Sequence, residues 1–404
     1  MDTMQLGIIF GSRSCEHEVS IISALQLMKA VNPDKYTVIP IYISLRGEWF
    51  TGEPLKDIKT YQNFDPYQKG ITRVFLDSTA GTGALTTFDA PKGLFKQEKQ
   101  RLAARLDCAI PVMHGMHGED GTLQGMLEMC NIPYSSSGVA ASAVGLDKAY
   151  MKDFFRGCGF PVLESVWALR SQWESDSVEV IKKIEEKLQY PVFVKPSSLG
   201  SSIGVSKARN FGELRDGLEL AFEFDRKVLI EKGLESPIEL NCSVLGYNDD
   251  VTASPIEMPV LGGDLLSFMD KYLQGGKNAT KGMASLKRVL PAPIEPELTE
   301  KIQTLSKEIF KAMDCKGVVR IDFMYDAPSN GLYITEINTI PGSLAFYLWN
   351  EAGLKYPELI DKMVAYALKA HEEKNTSNYA FSSSILKEAS LGLKNGGKIG
   401  TKQP

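Results

Sequence analysis

Short apolar runs alternating with helically spaced segments predict an α/β chain. Residues 6–10 form an apolar run that breaks at Gly11-Ser12, after which Val19, Ile22, Leu25 and Met28 recur at helical spacing. That is a strand, a tight turn and a helix. Residues 36–43 read as the next strand, and 108–113 as another that ends at His114-Gly115. Residues 45–105 mix turn-formers and apolar patches without a sustained period, so they predict only short strands and loops. A helix is expected over 122–130, and Asp147 has the character of an N-cap for a helix starting at Lys148.

Further along, 191–195 is β-branched and apolar, a Gly/Ser loop follows, and 228–231 is another strand. Beyond residue 246 the pattern predicts a helix over 297–313 and a hairpin pairing 317–325 with 332–338. After Lys369 the chain turns polar, and 391–404 is rich in Gly and Lys, which reads as a loosely attached tail. The expected organisation is an N-terminal α/β lobe over 1–145, a central lobe over 146–245, a C-terminal lobe over 246–372 and a flexible tail over 373–404.

Length and composition narrow the class. At 404 residues, 43% hydrophobic and 24% charged, the chain can build two or three ordinary cores. A net charge of −5 argues against nucleic-acid binding by bulk charge. No apolar stretch approaches the roughly 18 residues of a membrane span, and the first residues lack a basic segment of the secretory kind. The cysteines at 15, 108, 130, 158, 242 and 315 have no CxxC spacing and read as reduced thiols. A cytoplasmic enzyme without membrane or nucleic-acid partners is the expectation.

Local chemistry is concentrated in a few places. The loop from Lys195 through Gly200, Ser201, Ser202 and Gly204 directly follows a strand. Glycines and small hydroxyl residues let backbone N–H groups approach an anion closely, and the lysine adds fixed positive charge. The same residues also satisfy the G-x-S-x-G pattern of a hydrolase, with Ser202 as nucleophile and His371 as the histidine that follows it in the chain. Residues 392–398 nearly match a Walker loop, but Ile399 stands where Ser or Thr is needed. In the hairpin, Arg320 and Asp322 share one strand face, and Glu336 and Asn338 share a face of the other. An even register makes all four converge, an oxygen-only set suited to Mg²⁺ on phosphates with an arginine beside it. The alternative is a solvated face, which the apolar Ile321, Phe323 and Ile337 between them disfavour. The histidines and acids of 114–121 sit among glycines at 115, 118 and 121, so a cleft-lining loop is expected there and not a ligand helix for a transition metal.

Together these motifs resemble the D-alanine–D-alanine ligases of the ATP-grasp superfamily. The resemblance is carried by residues 10–20, by HGMHGEDGTLQGMLE at 114–128, by FVKPSSLGSSIGV at 193–205, and by 320–342 ending EINTIPG. It implies an α+β ATP-grasp fold of three lobes: an N-terminal parallel α/β lobe, then a small central and a C-terminal α+β lobe with ATP between them. It implies that Lys148 and Lys195 bind phosphates, that Ser201 and Ser202 lie in a loop over them, and that Lys271 belongs to the same nucleotide site. Glu231, Lys232 and Leu234 would hold adenine and Glu239 the ribose. Asp322, Glu336 and Asn338 would carry two Mg²⁺ ions, with Mn²⁺ as a substitute. Glu16 would hold the ammonium of a first D-alanine with His114 nearby, and Glu16, Ser201 and Tyr272 would form a hydrogen-bonded trio. Arg320 and the N–H of Gly342 would face the oxyanion. A homodimer is also implied.

Two segments depart from the family's pattern. The stretch after Lys271-Tyr272, up to Pro291, is longer than is typical and strongly basic. After Pro341-Gly342 the chain reads Ser343-Leu-Ala-Phe-Tyr347, with Tyr347 where a serine usually meets the second substrate. The expectation is a ligase joining two D-alanines through an acyl phosphate. A different amino or hydroxy acid as second substrate, a serine hydrolase and a nucleotide-binding protein without catalysis are the alternatives.

Overall fold

The computed structural model describes residues 3–89, 99–260, 288–378 and Leu386. β1 (Met4–Gly11) and β2 (Tyr36–Ile43) run parallel, as they must when the helix His17–Ala30 carries the chain between them. β2 is then followed by β3 (Trp49–Thr51), β4 (Thr72–Leu76), β5 (Ala84–Asp89) and β6 (Lys99–Arg105), each antiparallel to the one before it. β7 (Cys108–Val112) returns to lie parallel on the other side of β1. The first sheet is therefore mixed, in the order β6-β5-β4-β3-β2-β1-β7, and not the parallel sheet expected. The turn closing β2 onto β3 explains the difference. Gly47 N–H donates to Ser44 O and Ser44 N–H to Glu48 O, a connection too short for a crossover.

The second sheet is antiparallel, built from β8 (Ser165–Leu169), β9 (Val192–Pro196), β10 (Ser206–Ala208) and β11 (Lys227–Lys232) in the order β10-β9-β11-β8. Helices Ser177–Glu185 and Phe211–Phe224 cover it through Ile181, Ile184, Leu214 and Leu218. The third combines β12 (Ile238–Tyr247) and β13 (Asp250–Ala253) with the long hairpin, after a two-stranded ribbon of β14 (Met258–Pro259) and β15 (Arg288–Val289). The hairpin strands are β16 (Gly317–Asp326) and β17 (Gly331–Asn338), and the order is β13-β12-β16-β17.

β12 pairs with β16 from Ile238↔Tyr325 to Gly246↔Gly317. The boundary expected at 245/246 thus falls inside a strand of the third sheet. The helix Lys148–Gly157 likewise buries Met151 and Phe155 in that sheet's core, beyond the expected start of the central lobe at 146. An apolar run announces a strand but not its partner, and here the partner lies some 80 residues on.

The helix Tyr356–Asn375 continues past 373, where the tail was expected to begin. Its Leu359, Ile360, Met363 and Val364 share one core cluster with Leu6, Ile8 and Ile110 of the first sheet and Leu245 and Val318 of the third. Each such aliphatic side chain, fully buried, contributes about 1.5–3 kcal/mol. This helix is the wedge that fixes the first sheet against the third.

Candidate active site

The hairpin supplies the acidic half of the site. Its register pairs Arg320 with Asn338 and Asp322 with Glu336, so the four side chains do share a face. A bulge follows at Asp322/Phe323, where Thr335 drops out of the pairing and its hydroxyl donates to Asp322 O at 2.8 Å. Bulges of this kind aim side chains next to sites. Arg320 donates Nε and Nη2 to the two oxygens of Asp322, both at 2.7 Å, a bidentate pair that is almost wholly buried. Asn338 Nδ2 donates to Asp322 Oδ2 at 3.1 Å, and Lys148 Nζ stands 3.4 Å from Glu336 Oε2.

Two carboxylates and the oxygen of Asn338 form an oxygen-only donor set, the kind a hard divalent cation takes. Each carboxylate already faces a cation, Arg320 or Lys148, so a metal ion fits best when it arrives with the negative charge of a polyphosphate. Across the sheet from Asp322 stands Asn241, buried, its Oδ1 without a hydrogen-bond partner. A buried acceptor left open in this way fits a water or an ion in the same row. Among the described residues no group of three or more His, Cys, Asp or Glu side chains has the arrangement of a metal cluster. The two ring nitrogens of His114 are instead engaged with Ile340 O at 3.0 Å and Ser23 Oγ at 3.1 Å. Burial pushes the His114 pKa down to about 4, so the ring is neutral at pH 7.

The basic half comes from the second sheet and the helix before it. Asp147 is the N-cap expected, accepting from the N–H groups of Ala149 and Tyr150. It sets Lys148 at the helix start, where Nζ also donates to Leu199 O at 2.8 Å. Lys195, on β9, donates to Glu231 Oε2 at 2.6 Å, and Lys152 lies against the other oxygen of the same carboxylate. Although burial works against charge on all three, these two ammonium groups hold the Glu231 carboxyl below its ordinary range. Lys232 ends β11 and is exposed, Leu234 and Glu239 are partly buried, and Glu239 already belongs to β12 of the third sheet.

The serine loop closes over this half. Ser201 and Ser202 both take left-handed backbone, with φ of 54° and 60°. Ser201 Oγ donates to Glu16 Oε1, and Glu16 lies at the mouth of the helix His17–Ala30. A Cβ on Gly200 would come within 2.8 Å of Glu16 Oε2, so any other residue there would push the carboxylate or the loop aside. Two members of the expected trio therefore meet, while Tyr272 and Lys271 lie outside the described residues, as do residues 392–398. The hydrolase reading fails on local structure: the loop after Ser202 enters strand β10, not the helix an elbow requires, and His371 is bonded to Asn131 O.

Several functional candidates escaped the sequence. Glu119 is buried and accepts N–H bonds from Gly115 at 2.9 Å and from Ile340 at 3.1 Å, tying the loop after β7 to the exit of β17. Burial, reinforced by Glu16, pushes its pKa up to about 8. Lys152 sits on the buried face of its helix beside Met151 and Phe155, an apolar-face lysine that helical spacing alone would have flagged. Beyond Gly342, Ser343, Leu344 and Ala345 run left-handed at φ of 51°, 53° and 48°, a sharp turn that costs about 1–2 kcal/mol per residue. Ser343 N–H donates to Ser23 Oγ, and the turn delivers Tyr347 beside Arg320.

Comparison with known proteins agrees with this arrangement. The D-ala D-ala ligase N-terminus model matches residues 5–137, and the D-ala D-ala ligase C-terminus model matches 154–365. A D-alanine–D-alanine ligase of Acetivibrio thermocellus is 38% identical over 378 residues, covering 92% of this chain and 98% of that protein. Among solved structures, a D-Ala:D-Ser ligase from Enterococcus faecalis is 30% identical with a TM-score of 0.76, over 91% of this chain and all of that one. A D-alanine–D-alanine ligase from Coxiella burnetii, at 24% identity and a TM-score of 0.75 over 98% of this chain and 100% of that one, shares the fold. The chain belongs to the D-alanine–D-alanine ligase family.

Proposed function

We propose that the protein is an ATP-dependent ligase that joins two D-alanines, giving D-alanyl-D-alanine, ADP and phosphate for peptidoglycan synthesis. The single observation that carries this reading is the meeting of Glu16 with Ser201, which ties the first sheet's helix to the serine loop beside the hairpin's acidic face. On this reading the chain forms three lobes around the three larger sheets, with ATP between the second and third. Lys148 and Lys195 bind its phosphates, with Ser201 and Ser202 above them. Glu231, Lys232 and Leu234 hold the adenine, Glu239 the ribose. Asp322, Glu336 and Asn338 hold two Mg²⁺ ions, which when bound neutralise phosphate charge.

The residues then divide the chemistry. Glu16 orients the first D-alanine by its ammonium so that its carboxylate meets the γ-phosphoryl group and becomes an acyl phosphate. Neutral His114, fixed by Ile340 O and Ser23, packs beside it without adding charge. The amine of the second D-alanine attacks, and Arg320 and the Gly342 N–H stabilise the oxyanion that forms. The enzyme acts in the cytoplasm, as a homodimer. A second acceptor, another amino acid or a D-hydroxy acid, is favoured by one specific observation: Tyr347 occupies the position where the resemblance calls for serine.

The test is phosphate release from ATP with Mg²⁺ over a panel of D- and L-amino acids and D-lactate, with products identified by mass spectrometry. D-alanine-dependent release with D-alanyl-D-alanine as product is expected. Phosphate release that ignores amino acids, or none at all, would overturn the reading.

A further inference from the structure

At the root of the serine loop lies a ring of contacts that the proposed phosphate, metal and substrate contacts leave unused. Lys227 opens β11 on the sheet face that also carries Lys195 and Glu231. It is only 3% exposed, and its ammonium lies 2.6 Å from Asp147 Oδ2 and 3.4 Å from the centre of the Tyr150 ring. Asp147 Oδ1 accepts the N–H groups of Ala149 at 3.1 Å and Tyr150 at 3.2 Å, and the hydroxyl of Ser197 at 2.7 Å. Ser197 is wholly buried. Its N–H donates to Lys227 O at 3.0 Å, and its own carbonyl accepts the N–H of Lys148 at 2.8 Å. Burial alone would raise the Asp147 pKa, but the bonds from Lys227 and Ser197 hold it below its ordinary value, so the carboxylate is charged.

The division of bonds on Asp147 decides what Lys227 does. One carboxylate oxygen holds the helix start and Ser197, and among the described residues the other holds Lys227 alone. The torsion that turns a carboxyl group is soft. Without an ammonium on Oδ2 the group can swing, and the three bonds on Oδ1 loosen together. Those bonds set the first turn of the helix, from which Lys148 reaches Leu199 O and Glu336. The Lys148 ammonium is a point charge on a flexible stem, so the backbone it springs from determines where it can act. We infer that Lys227 is a positioning residue for phosphate binding: through Asp147 and Ser197 it fixes Lys148 and the root of the serine loop as one unit against the phosphates of ATP. The inference rests on the ligase reading above, in which Lys148 and the loop meet those phosphates. It deepens that reading by naming a residue that touches no substrate and yet sets the affinity for the nucleotide.

The experiment is a double-mutant cycle on ATP binding, read as Kd by titration calorimetry with Mg²⁺ and without amino acid. Lys227→Met is expected to weaken ATP about tenfold, the loss of one charged hydrogen bond. Lys148→Met should weaken ATP at least as much, since it removes the ammonium itself. In the Lys148→Met background, Lys227→Met should add less than about twofold, because the residue it acts through is gone. A merely structural role would show the full tenfold in both backgrounds. Lys227→Arg keeps a cation for Asp147 and should stay within about threefold of the parent. In turnover, Lys227→Met should raise the KM for ATP while kcat at saturating ATP changes less than about threefold. Ser197→Ala removes a neutral bond to the same carboxylate and serves where Lys227→Met does not fold; it should weaken ATP about threefold, again only when Lys148 is present. Additive effects, or unchanged ATP affinity in folded Lys227→Met or its substitute, would overturn the inference while leaving the ligase reading intact. A parent protein that binds no ATP would instead overturn the ligase reading, and the inference with it.

Discussion

The hairpin β16–β17 and the serine loop after β9 lie on the two sides of one proposed site, and they hold their side chains by different means. In the hairpin the strand's two-residue period places Arg320 with Asp322 and Glu336 with Asn338, and the backbone ladder fixes all four while Ile321, Phe323 and Ile337 anchor the other face. In the loop no ladder operates. Ser201 and Ser202 stand on left-handed backbone, partly exposed, and Ser201 is tied to Glu16, 185 residues away in sequence. The difference teaches that the acidic half is preorganised by secondary structure, whereas the loop is shaped by what it touches.

Changes in the hairpin should accordingly have the largest effects. Glu336→Gln and Asp322→Asn are each expected to lower turnover by about a thousandfold or more, since each removes charge from the proposed metal donors. Asp322→Asn should also lose about 3 kcal/mol of stability, because Arg320 would be left buried without its counter-ion. Phosphate release and thermal unfolding of the same samples separate the two effects; near-parental turnover in both variants at limiting Mg²⁺ would remove the hairpin from the site.

The join between the two regions gives a pH test. Glu119 binds the exit of β17 and is the electrostatic neighbour of both Glu16 and Glu336. Its carboxyl holds a proton in the native state up to about pH 8 and releases it on unfolding above its ordinary value of 4.5. The unfolded chain therefore binds fewer protons, and this group makes stability fall as pH rises from 4.5 to about 8. His114 acts oppositely, losing stability as pH falls from 6.5 to about 4, so of these two groups Glu119 is the one that contributes between 6.5 and 8. Over that window the parent should lose about 2 kcal/mol more than Glu119→Gln, measured by denaturant unfolding at each pH. Parallel curves would show that Glu119 is ionised in the folded protein.

The loop should tolerate more. Gly200→Ala brings a methyl group against the Glu16 carboxylate, and about tenfold loss of kcat/KM for the first amino acid is expected as the loop shifts. Ser202→Ala should cost less than tenfold, roughly one hydrogen bond, because backbone N–H groups carry most of such an anion contact. If Ser202→Ala were as damaging as Glu336→Gln, the loop would be as preorganised as the hairpin and the contrast would vanish.

This contrast also separates what could be read from the chain from what could not. The hairpin, and the faces that Arg320 shares with Asp322 and Glu336 with Asn338, were legible because periodicity is a local property, whereas the register that brings the two pairs together was left open by the sequence. The capping role of Asp147 was legible for the same reason. The antiparallel extension β3–β6 was not, since its strands are short and irregular in period. Nor was the membership of β12 in the third sheet, because pairing partners distant in sequence leave no local mark. Glu119 stood in a stretch the sequence marked only as a cleft-lining loop and Glu257 carried no local signal, and contacts with distant backbone, Ile340 N–H for one and Asn241 for the other, set them apart.

The wedge helix Tyr356–Asn375 has a consequence for how the chain is made. Leu6, Ile8 and Phe10 leave the ribosome some 350 residues ahead of Leu359, Met363 and Val364, with which they share a core cluster. The first sheet therefore waits through most of synthesis with part of its apolar surface uncovered. The second sheet, whose cluster draws on residues 168–230 alone, can close as soon as it emerges. The second sheet can therefore close before the first, which is completed only when the helix Tyr356–Asn375 arrives.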